Sequence, residues 1–382
     1  MRILIGSLTY PLHNGVTNSI NTSVDGFVKA GQKIQIVAPR YQQQLARPEH
    51  RPVMASPLSK FFLQLFGKEE RMFGYKAYGQ IKKIAQDFGP DAYWLHTITW
   101  APNAFERAMI ASKKAKVVTY HTLVEMYGQA YGGELGALRM VERSRKVCNA
   151  ADIIITPSQV IADKLRSYEV TKPIKVIPTG ILKSEKSFSK SELAEKYHFS
   201  PDNALLIFVG RISKEKNISA LIKMAATLAK MRQDFTLLLV GPGDIEETQA
   251  EAKKMDVEKQ VILTDGLPLA DSKACYGAAD AFVFASQSET QGLVLGEAMI
   301  AGTPVVALNS PIQAEVYPEE VAVVVRDETQ FASEVNRLLC DKSLQEKLAV
   351  EGKKFVEENF SVDGMISKQI TVFESVTAKV TA

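Results

Sequence analysis

Two glutamates with a glycine between them form the clearest chemical pattern in the sequence. Glu289 and Glu297 stand eight positions apart in SETQGLVLGEAMIAGTPVVA, and Gly292 lies close to the start of the predicted helix that carries Glu297. The amides of Gln291, Gly292 and Leu293 can point at a phosphate, while each carboxylate can accept hydrogen bonds from sugar hydroxyls. A helix with one incidental glutamate is the alternative, which the placement of the glycine disfavours.

A basic loop precedes this segment. In GRISKEKN, which Gly210 opens, Arg211 and Lys216 follow a predicted buried strand. Two cations at such a place can hold a diphosphate and offset the charge of a departing nucleotide. The alternative is a solvated loop in which an arginine pairs with a glutamate.

A third candidate lies near the beginning of the chain. Gly15, in GVTNSINTSV, follows an apolar strand and starts a polar helix. A glycine lets the backbone approach a ligand, and the helix start offers unpaired amides and the positive end of a dipole. The stretch lacks the G-x-G-x-x-G spacing of dinucleotide-binding proteins, which argues against a hydride-transfer enzyme. An ordinary tight turn is the alternative.

Short apolar segments alternate with helical periods along the chain, and the pattern restarts after a serine-rich connection. We predict an α/β protein with two doubly wound, Rossmann-like domains facing an interdomain cleft, because ligands of such sheets bind beyond the carboxyl ends of the strands. The predicted strands are residues 2–6, 33–37, 92–96, 116–120, 152–156 and 174–177, then 204–209, 235–240, 261–263, 281–284, 304–307 and 321–325.

Charge is unevenly distributed over a chain of net charge +3. Residues 1–180 contain 24 lysine and arginine residues against 13 aspartate and glutamate residues, a formal charge of +11, and the remainder carries −8. Separate duties for the two halves are one interpretation, and chance with solvated helix faces is the other.

The three cysteines fit neither a disulfide framework nor a zinc site. We also recognise no targeting or membrane-spanning segment, so we expect a cytoplasmic protein.

Taken together, the motifs resemble a known family. The E-x7-E pattern of Glu289 and Glu297, GRISKEKN and NGVTNS resemble retaining nucleotide-sugar glycosyltransferases of the GT-B fold, in the large family that includes sucrose synthase and the phosphatidylinositol mannosyltransferases. The expected domains are residues 1–182 for acceptor and membrane binding and 183–360 for the nucleotide sugar. The resemblance implies that a helix in 361–382 returns to the first domain.

The resemblance also implies roles for particular residues. Glu289 would contact hydroxyls of the donor sugar, and Glu297 would contact the nucleotide ribose. The diphosphate would lie among residues of both domains, namely Arg211, Lys216, Gly210, Gln291, Gly292, Leu293, Gly15 and Val16. The family often has two adjacent glycines where this sequence has Asn14 and Gly15.

A histidine after another predicted strand has a counterpart in the family. His121, in TYHTLVEMY, matches the position of a common active-site histidine near the donor sugar. Its neutral imidazole or its carbonyl would steady positive charge at the anomeric carbon or orient the acceptor. A core or capping histidine is the alternative, and we interpret His96 as structural.

The sequence contains no D-x-D pair, the motif with which other sugar transferases hold a metal ion. We therefore expect no metal and no cofactor beyond the nucleotide-sugar substrate, with Arg211 and Lys216 in place of the ion. Retention without an evident nucleophile favours a front-face displacement.

Two segments of the basic half suit an anionic membrane surface. One predicted helix face with basic flanks consists of Leu58, Phe61, Phe62, Leu65 and Phe66. In a second helix, Arg139, Arg143 and Lys146 share a face. A helix packed on its own core and a solvated face are the respective alternatives.

The stretches HTLVEMY, SRKVCNAAD, ITPS and VIPTGI resemble the diacylglycerol glucosyltransferases of that family, in which Glu125 would lie close to the acceptor pocket. We therefore expect transfer of glucose from UDP-glucose to a lipid such as diacylglycerol, by a peripheral protein on the inner face of the membrane with no nucleic-acid partner. A soluble acceptor, an epimerase and a non-catalytic sugar- or lipid-binding module are the alternatives.

Overall fold

A computed structural model describes residues 1–12, 14–41, 47–57, 71–121 and 123–381, without side chains for 124–132 and 381. The chain forms two compact units, Met1–Gly180 with Val362–Ala382 and Ile181–Ser361. The predicted apolar helix face, which includes Phe61, Phe62 and Phe66, lies outside the described residues.

The described part of the first unit is built on a parallel sheet with the strand order β3-β2-β1-β4-β5-β6-β7. The strands are β1 Arg2–Gly6, β2 Lys33–Pro39, β3 His50–Val53, β4 Ala92–Leu95, β5 Ala115–Thr119, β6 Ile153–Thr156 and β7 Ile174–Val176. The helices of this unit are α1 Gly15–Lys29, α2 Ala77–Phe88, α3 Ala104–Ala111, α4 Val124–Asn149, α5 Gln159–Ser167 and, at the end of the chain, α14 Val362–Thr381.

The second unit repeats this architecture with the strand order β10-β9-β8-β11-β12-β13. Its strands are β8 Ala204–Val209, β9 Phe235–Gly241, β10 Val261–Asp265, β11 Ala281–Phe284, β12 Val305–Leu308 and β13 Val323–Val325. Its helices are α6 Lys190–Tyr197, α7 Ile218–Leu228, α8 Ile245–Lys254, α9 Leu269–Ala274, α10 Leu293–Ile300, α11 Pro311–Val316, α12 Phe331–Cys340 and α13 Lys342–Asn359.

The prediction of two doubly wound parallel sheets is confirmed. The central strands are continuous apolar runs because helices cover both faces of a parallel sheet, and all residues of β4, β9 and β11 are buried. The predicted strand ends lie within two residues of the observed ones, and three predicted strands have the observed bounds. Strand β3, with the sequence HRPV, was missed because an edge strand with a proline lacks the apolar run of a central strand.

Each sheet has one point at which the strand order reverses. In the first unit the chain proceeds outward from β1 to β3 and returns to pair β4 with the free side of β1. In the second unit β11 pairs with β8 in the same way. Loops that leave the two strands at such a point diverge to opposite faces and open a crevice, which is where ligands of this fold class bind.

The last helix completes the core of the first unit. Phe373 of α14 is fully buried, with its ring centroid 4.9 Å from that of Trp94 and 5.6 Å from that of Phe27. Apolar residues of α14 therefore pack on the sheet that the first 180 residues form. Within the described residues, none of the helices combines the length and the apolar character needed to cross a membrane.

Replacing Phe373 with alanine should destabilise the first unit by about 3 to 5 kcal/mol, because it removes a large buried side chain and leaves a cavity. Both tryptophans of the chain, Trp94 and Trp100, belong to this unit, so tryptophan fluorescence during urea unfolding reports on it alone. The control is Glu374→Ala, an exposed change on the same helix that should alter stability by less than about 0.5 kcal/mol. Equal unfolding midpoints for the two variants would contradict the packing of α14.

Candidate active site

The candidate residues of the second unit lie at the point where its strand order reverses. Residues 210–217 follow β8, and residues 285–292 follow the neighbouring strand β11. The hydroxyl of Ser288 donates a hydrogen bond to the carbonyl oxygen of Glu215 at 3.2 Å, so the two loops touch. Residues that are more than 70 positions apart in sequence thus share one crevice.

An ion pair joins two of the predicted donor-binding residues. Nζ of Lys216 lies 2.6 Å from Oε1 of Glu289, and the two side chains are only 21% and 17% exposed. Lys216 ends a short 3-10 turn, Lys214–Lys216, after which Asn217 adopts a left-handed backbone and forms the N-cap of α7. The expected diphosphate cation therefore also holds the carboxylate expected to contact the sugar.

Arg211 occupies a more open position. Its guanidinium lies 3.0 Å from Glu215, and both side chains are more than a third exposed. An exposed pair of this kind contributes little to stability, so its arginine can exchange the carboxylate for another anion at small cost. The solvated Arg/Glu pair considered as an alternative is thus present, and it leaves phosphate binding possible.

The segment around Gly292 presents the start of a helix. Gly292 has φ = +72°, a left-handed conformation in which a β-carbon would also meet Cδ1 of Leu295 at 2.9 Å. The carbonyl of Gly292 accepts hydrogen bonds from the amide of Leu295 and from the hydroxyl of Tyr317, both at 3.0 Å. This anchoring fixes the direction of the first amides of α10, which begins at Leu293. Gln291, the preceding residue, is buried.

Glu297 lies one turn into α10 and is held by two groups that the sequence did not indicate. Nζ of Lys273 lies 2.7 Å from its Oε1, and the Tyr276 hydroxyl donates to its Oε2 at 3.0 Å. Burial, and then the charge of Glu297, raises the pKa of Tyr276 well above its usual value, so the phenol stays protonated and remains a donor. Lys273 lies in the last turn of α9 and Tyr276 two residues after its end, a spacing that would place both on one side of a continued helix.

The first unit places Gly15 and Val16 in the first turn of α1, after β1. The side chain of Asn14 caps this helix by accepting a hydrogen bond from the Thr17 amide at 2.9 Å. Gly15 is exposed, and a β-carbon on it would meet no atom of the described protein within 4 Å. The fold itself therefore does not require a glycine at this position, whereas Val16 packs against the core.

Two histidines meet at the carboxyl ends of β4 and β5. Nδ1 of His96 lies 2.8 Å from Nε2 of His121. Burial lowers the pKa of His121 to about 4, and burial together with the neighbouring His121 lowers the pKa of His96 well below its usual value. Both imidazoles are therefore neutral at pH 7, as expected for His121. His96 is buried as predicted, and it contacts the candidate residue directly.

The predicted basic face of α4 has two exposed cations instead of three. Arg143 is buried, and its guanidinium holds both carboxylate oxygens of Glu106 at 2.6 and 2.7 Å. The expectation that Arg143 contacts a membrane is therefore wrong, because a buried carboxylate on α3 requires its charge. Arg139 and Lys146 remain exposed. Glu125 lies in the first turn of α4, and its side chain is not among those described.

Among the residues that the structure describes, no three histidine, cysteine, aspartate or glutamate side chains are close enough together to hold a metal ion. Among the candidate residues of the second unit, three cations, Arg211, Lys216 and Lys273, are each paired with a glutamate. Such an arrangement can bind a ligand that carries negative charge at one end and hydroxyls at the other.

Each half of the chain matches a family of known proteins. Residues 13–183 match Glycosyltransferase Family 4, and residues 189–355 match Glycosyl transferases group 1. The alpha-monoglucosyldiacylglycerol synthase of Streptococcus pneumoniae is 31% identical over 323 residues, which are 81% of this chain and 72% of that protein.

Solved structures show the same fold. Sucrose-phosphate synthase from Thermosynechococcus elongatus superimposes with a TM-score of 0.81 at 19% identity, covering 99% of this chain and 100% of the other. Anabaena HepE, solved with UDP and glucose, gives a TM-score of 0.76 at 16% identity, covering 98% and 100%. At these identities the similarity concerns the fold.

Proposed function

Because the chain belongs to the group 1 glycosyltransferases and has the GT-B fold, we propose that it transfers glucose from UDP-glucose to a lipid hydroxyl such as that of diacylglycerol. The reaction retains the configuration of the anomeric carbon and requires no metal ion. The enzyme class follows from the family. The donor, the acceptor, the stereochemistry and the absence of a metal requirement are the proposal.

One observation carries the donor assignment. Two glutamates that are eight positions apart each form an ion pair with a lysine, in segments that follow strands of the second unit. Lys216 fixes Glu289, and Lys273 fixes Glu297. Each carboxylate keeps lone pairs for two further hydrogen bonds, which suits the paired hydroxyls of a hexose and of a ribose. We assign Glu289 to the hexose and Glu297 to the ribose.

The negative charge of the donor requires cations and amides. Lys216 and Arg211 supply the cations, and the helix start at Gly292 and Leu293 supplies amides with the positive end of a dipole. These groups are positioned before the reaction and can stabilise the charge that develops on the departing nucleotide. They take the part that a metal ion has in other sugar transferases.

The lipid acceptor is supported by the relative from Streptococcus pneumoniae, an alpha-monoglucosyldiacylglycerol synthase. The charge of the first unit also supports a lipid acceptor. Residues 1–180 carry a formal charge of +11, and helix α14 adds no net charge because it has two charges of each sign. A surface with this excess of cations attracts anionic lipid headgroups.

A surface of α3, α4 and the preceding loop is suited to contact such headgroups. We call it the basic-apolar surface, and its exposed members are Trp100, Ile110, Leu135, Leu138, Arg139 and Lys146. Leu135, Leu138, Arg139 and Lys146 recur at helical spacing on one side of α4, and Nε of Arg139 is 3.5 Å from the carbonyl oxygen of Trp100. Exposed apolar side chains beside cations are typical of proteins that lie on a membrane surface.

The central experiment is transfer of labelled UDP-glucose into diacylglycerol liposomes in the presence of chelator, with UDP-galactose, UDP-N-acetylglucosamine and GDP-mannose alongside. We expect an α-glucolipid from UDP-glucose. The Glu289→Gln variant should lose about 10- to 100-fold in kcat/KM, because it removes hydrogen bonds from hydroxyls to a charged group.

The matched control is Glu319→Gln, which also removes the charge of a paired carboxylate but lies in an exposed pair with Arg326. It should leave transfer unchanged. Donor hydrolysis without lipid product would contradict the acceptor, a β-linked product would contradict retention, and loss of transfer on chelation would contradict metal independence. No use of any donor would contradict the whole proposal.

Gly15→Ala should reduce the affinity for UDP-glucose without reducing stability. An added β-carbon meets open space in the protein and improves helix propensity, but it intrudes where the phosphates approach the start of α1. Overpacking by one carbon costs roughly 1 to 3 kcal/mol, or about 5- to 150-fold in affinity. Titration calorimetry with UDP measures the loss.

Gly79→Ala is the control, because Gly79 is also exposed in a first helical turn with no described atom near its added β-carbon. It should bind UDP as the parent protein does. Equal affinities of the parent and both variants for UDP would contradict a role for α1 in donor binding.

The double change Arg139→Gln and Lys146→Gln should weaken binding to anionic vesicles by roughly 30-fold, at about 1 kcal/mol for each cation near the surface. The matched control is Lys347→Gln with Lys354→Gln, two exposed cations that are also seven positions apart on one helix, α13 of the second unit. Vesicle flotation measures binding. An equal loss in both variants would show attraction by overall charge and contradict a role for the basic-apolar surface.

A further inference from the structure

His96 and His121 form a hydrogen bond whose geometry is well defined. Their ring planes are inclined by only 17°, their centroids lie 5.1 Å apart, and the two nearest nitrogens are 2.8 Å apart. Rings stacked face to face cannot bring atoms within 2.8 Å without overlap. The rings therefore meet edge to edge, and the hydrogen bond runs close to both ring planes, along the directions of the nitrogen N–H and lone pair.

A single proton lies between the two nitrogens, since both imidazoles are neutral. Either Nδ1 of His96 donates to Nε2 of His121, or the donation runs the other way. The two arrangements differ in what they leave on the far nitrogen of each ring. In the first, Nε2 of His96 has a lone pair and His121 carries its proton on Nδ1. In the second, Nε2 of His96 has a proton and His121 carries its proton on Nε2.

The surroundings of His96 distinguish the two arrangements. Its Nε2 is buried and has no hydrogen-bond partner among the residues that the structure describes. An unpartnered buried N–H is rarer in proteins than an unpartnered buried acceptor. The first arrangement is therefore favoured, because it leaves a lone pair and not a proton in that position.

His96 is held firmly enough to impose this choice on its neighbour. Its amide donates to the carbonyl oxygen of Gly6 at 3.0 Å, which ties it to the end of β1. Its ring packs on the Trp94 ring at a centroid distance of 4.5 Å. The next residue, Thr97, accepts a hydrogen bond from the Leu8 amide at 2.9 Å. A side chain fixed in this way has little freedom to turn its Nδ1 away.

We propose that His96 is a positioning residue for the transfer reaction, whose Nδ1–H donates to Nε2 of His121 and thereby fixes His121 as the Nδ1–H tautomer. The inference rests on the proposed function and on the role that the family resemblance implies for His121, beside the donor sugar. It has a chemical consequence. Because Nε2 of His121 accepts the proton of His96, its lone pair is occupied and does not act as a general base.

The direction of the hydrogen bond can be observed without substrate. In a long-range proton–nitrogen NMR spectrum of histidine-labelled protein, we expect His121 to show a protonated Nδ1 and an unprotonated Nε2 at pH 7, with signals assigned by comparison with His121→Gln. A protonated Nε2 on His121 would overturn the proposal. This readout stays decisive even if UDP-glucose is not the donor.

Two variants of His96 separate positioning from packing. His96→Asn keeps an N–H donor at the same distance from the backbone, and His96→Leu has a similar shape without one. We expect His96→Leu to lower kcat about 100-fold with little change in the KM for UDP-glucose, because a misplaced catalytic group costs this much. His96→Asn should keep kcat within about threefold of the parent.

A packing role predicts a different result. In that case kcat would fall only in parallel with stability, in both variants. His96→Leu leaves Nε2 of His121 without its donor, so it should unfold at a lower urea concentration than the parent, whereas His96→Asn keeps a donor; tryptophan fluorescence measures both midpoints. Equal loss of kcat in the leucine and asparagine variants would overturn the proposal. A parent protein that uses none of the tested donors would contradict the proposed function and leave the NMR result to decide the hydrogen bond.

Discussion

The candidate site depends on two lysine–glutamate ion pairs that fix its carboxylates. Glu289 and Glu297 are 17% and 15% exposed, a depth at which an unpaired carboxylate would be costly. Lys216 comes from the loop after β8, and Lys273 comes from α9, which follows β10. The pairs therefore connect segments that leave three different strands, and they hold the two carboxylates in place.

The candidate residues of the first unit carry no charge. His96 and His121 are neutral and share one hydrogen bond, and Gly15 and Val16 contribute the start of a helix. This division would suit the proposed reaction, in which a charged diphosphate leaves and a positively charged carbon forms for a short time. Cations at the leaving group stabilise that charge, whereas a cation beside the anomeric carbon would oppose it.

Local patterns in the sequence predict the fold and the candidate positions. They do not predict side-chain contacts between residues that are far apart in the sequence. Apolar runs predict the central strands. Turn residues after those strands predict Gly15, Arg211 and Gly292 as candidate residues, because chain direction and strand order decide where such residues lie. Lys273 is 24 positions from Glu297, and His96 is 25 positions from His121. Which side chains pair across such separations depends on tertiary packing, and the periodicity of the sequence carries no information about it.

Arg143 shows the same limit on the surface of α4. Its spacing from Arg139 and Lys146 predicts a common exposed face, yet Glu106 of α3 is buried and needs a counter-charge. A guanidinium can hold both carboxylate oxygens and still donate from Nε to the carbonyl oxygen of Thr99 at 3.1 Å, which an ammonium cannot do with the same geometry. The pair ties α4 to α3 and to the loop before it, and it leaves one cation fewer for any anionic surface. At about 1 kcal/mol for each cation, the proposed attraction of α4 to such a surface would be about a third weaker than the sequence predicts.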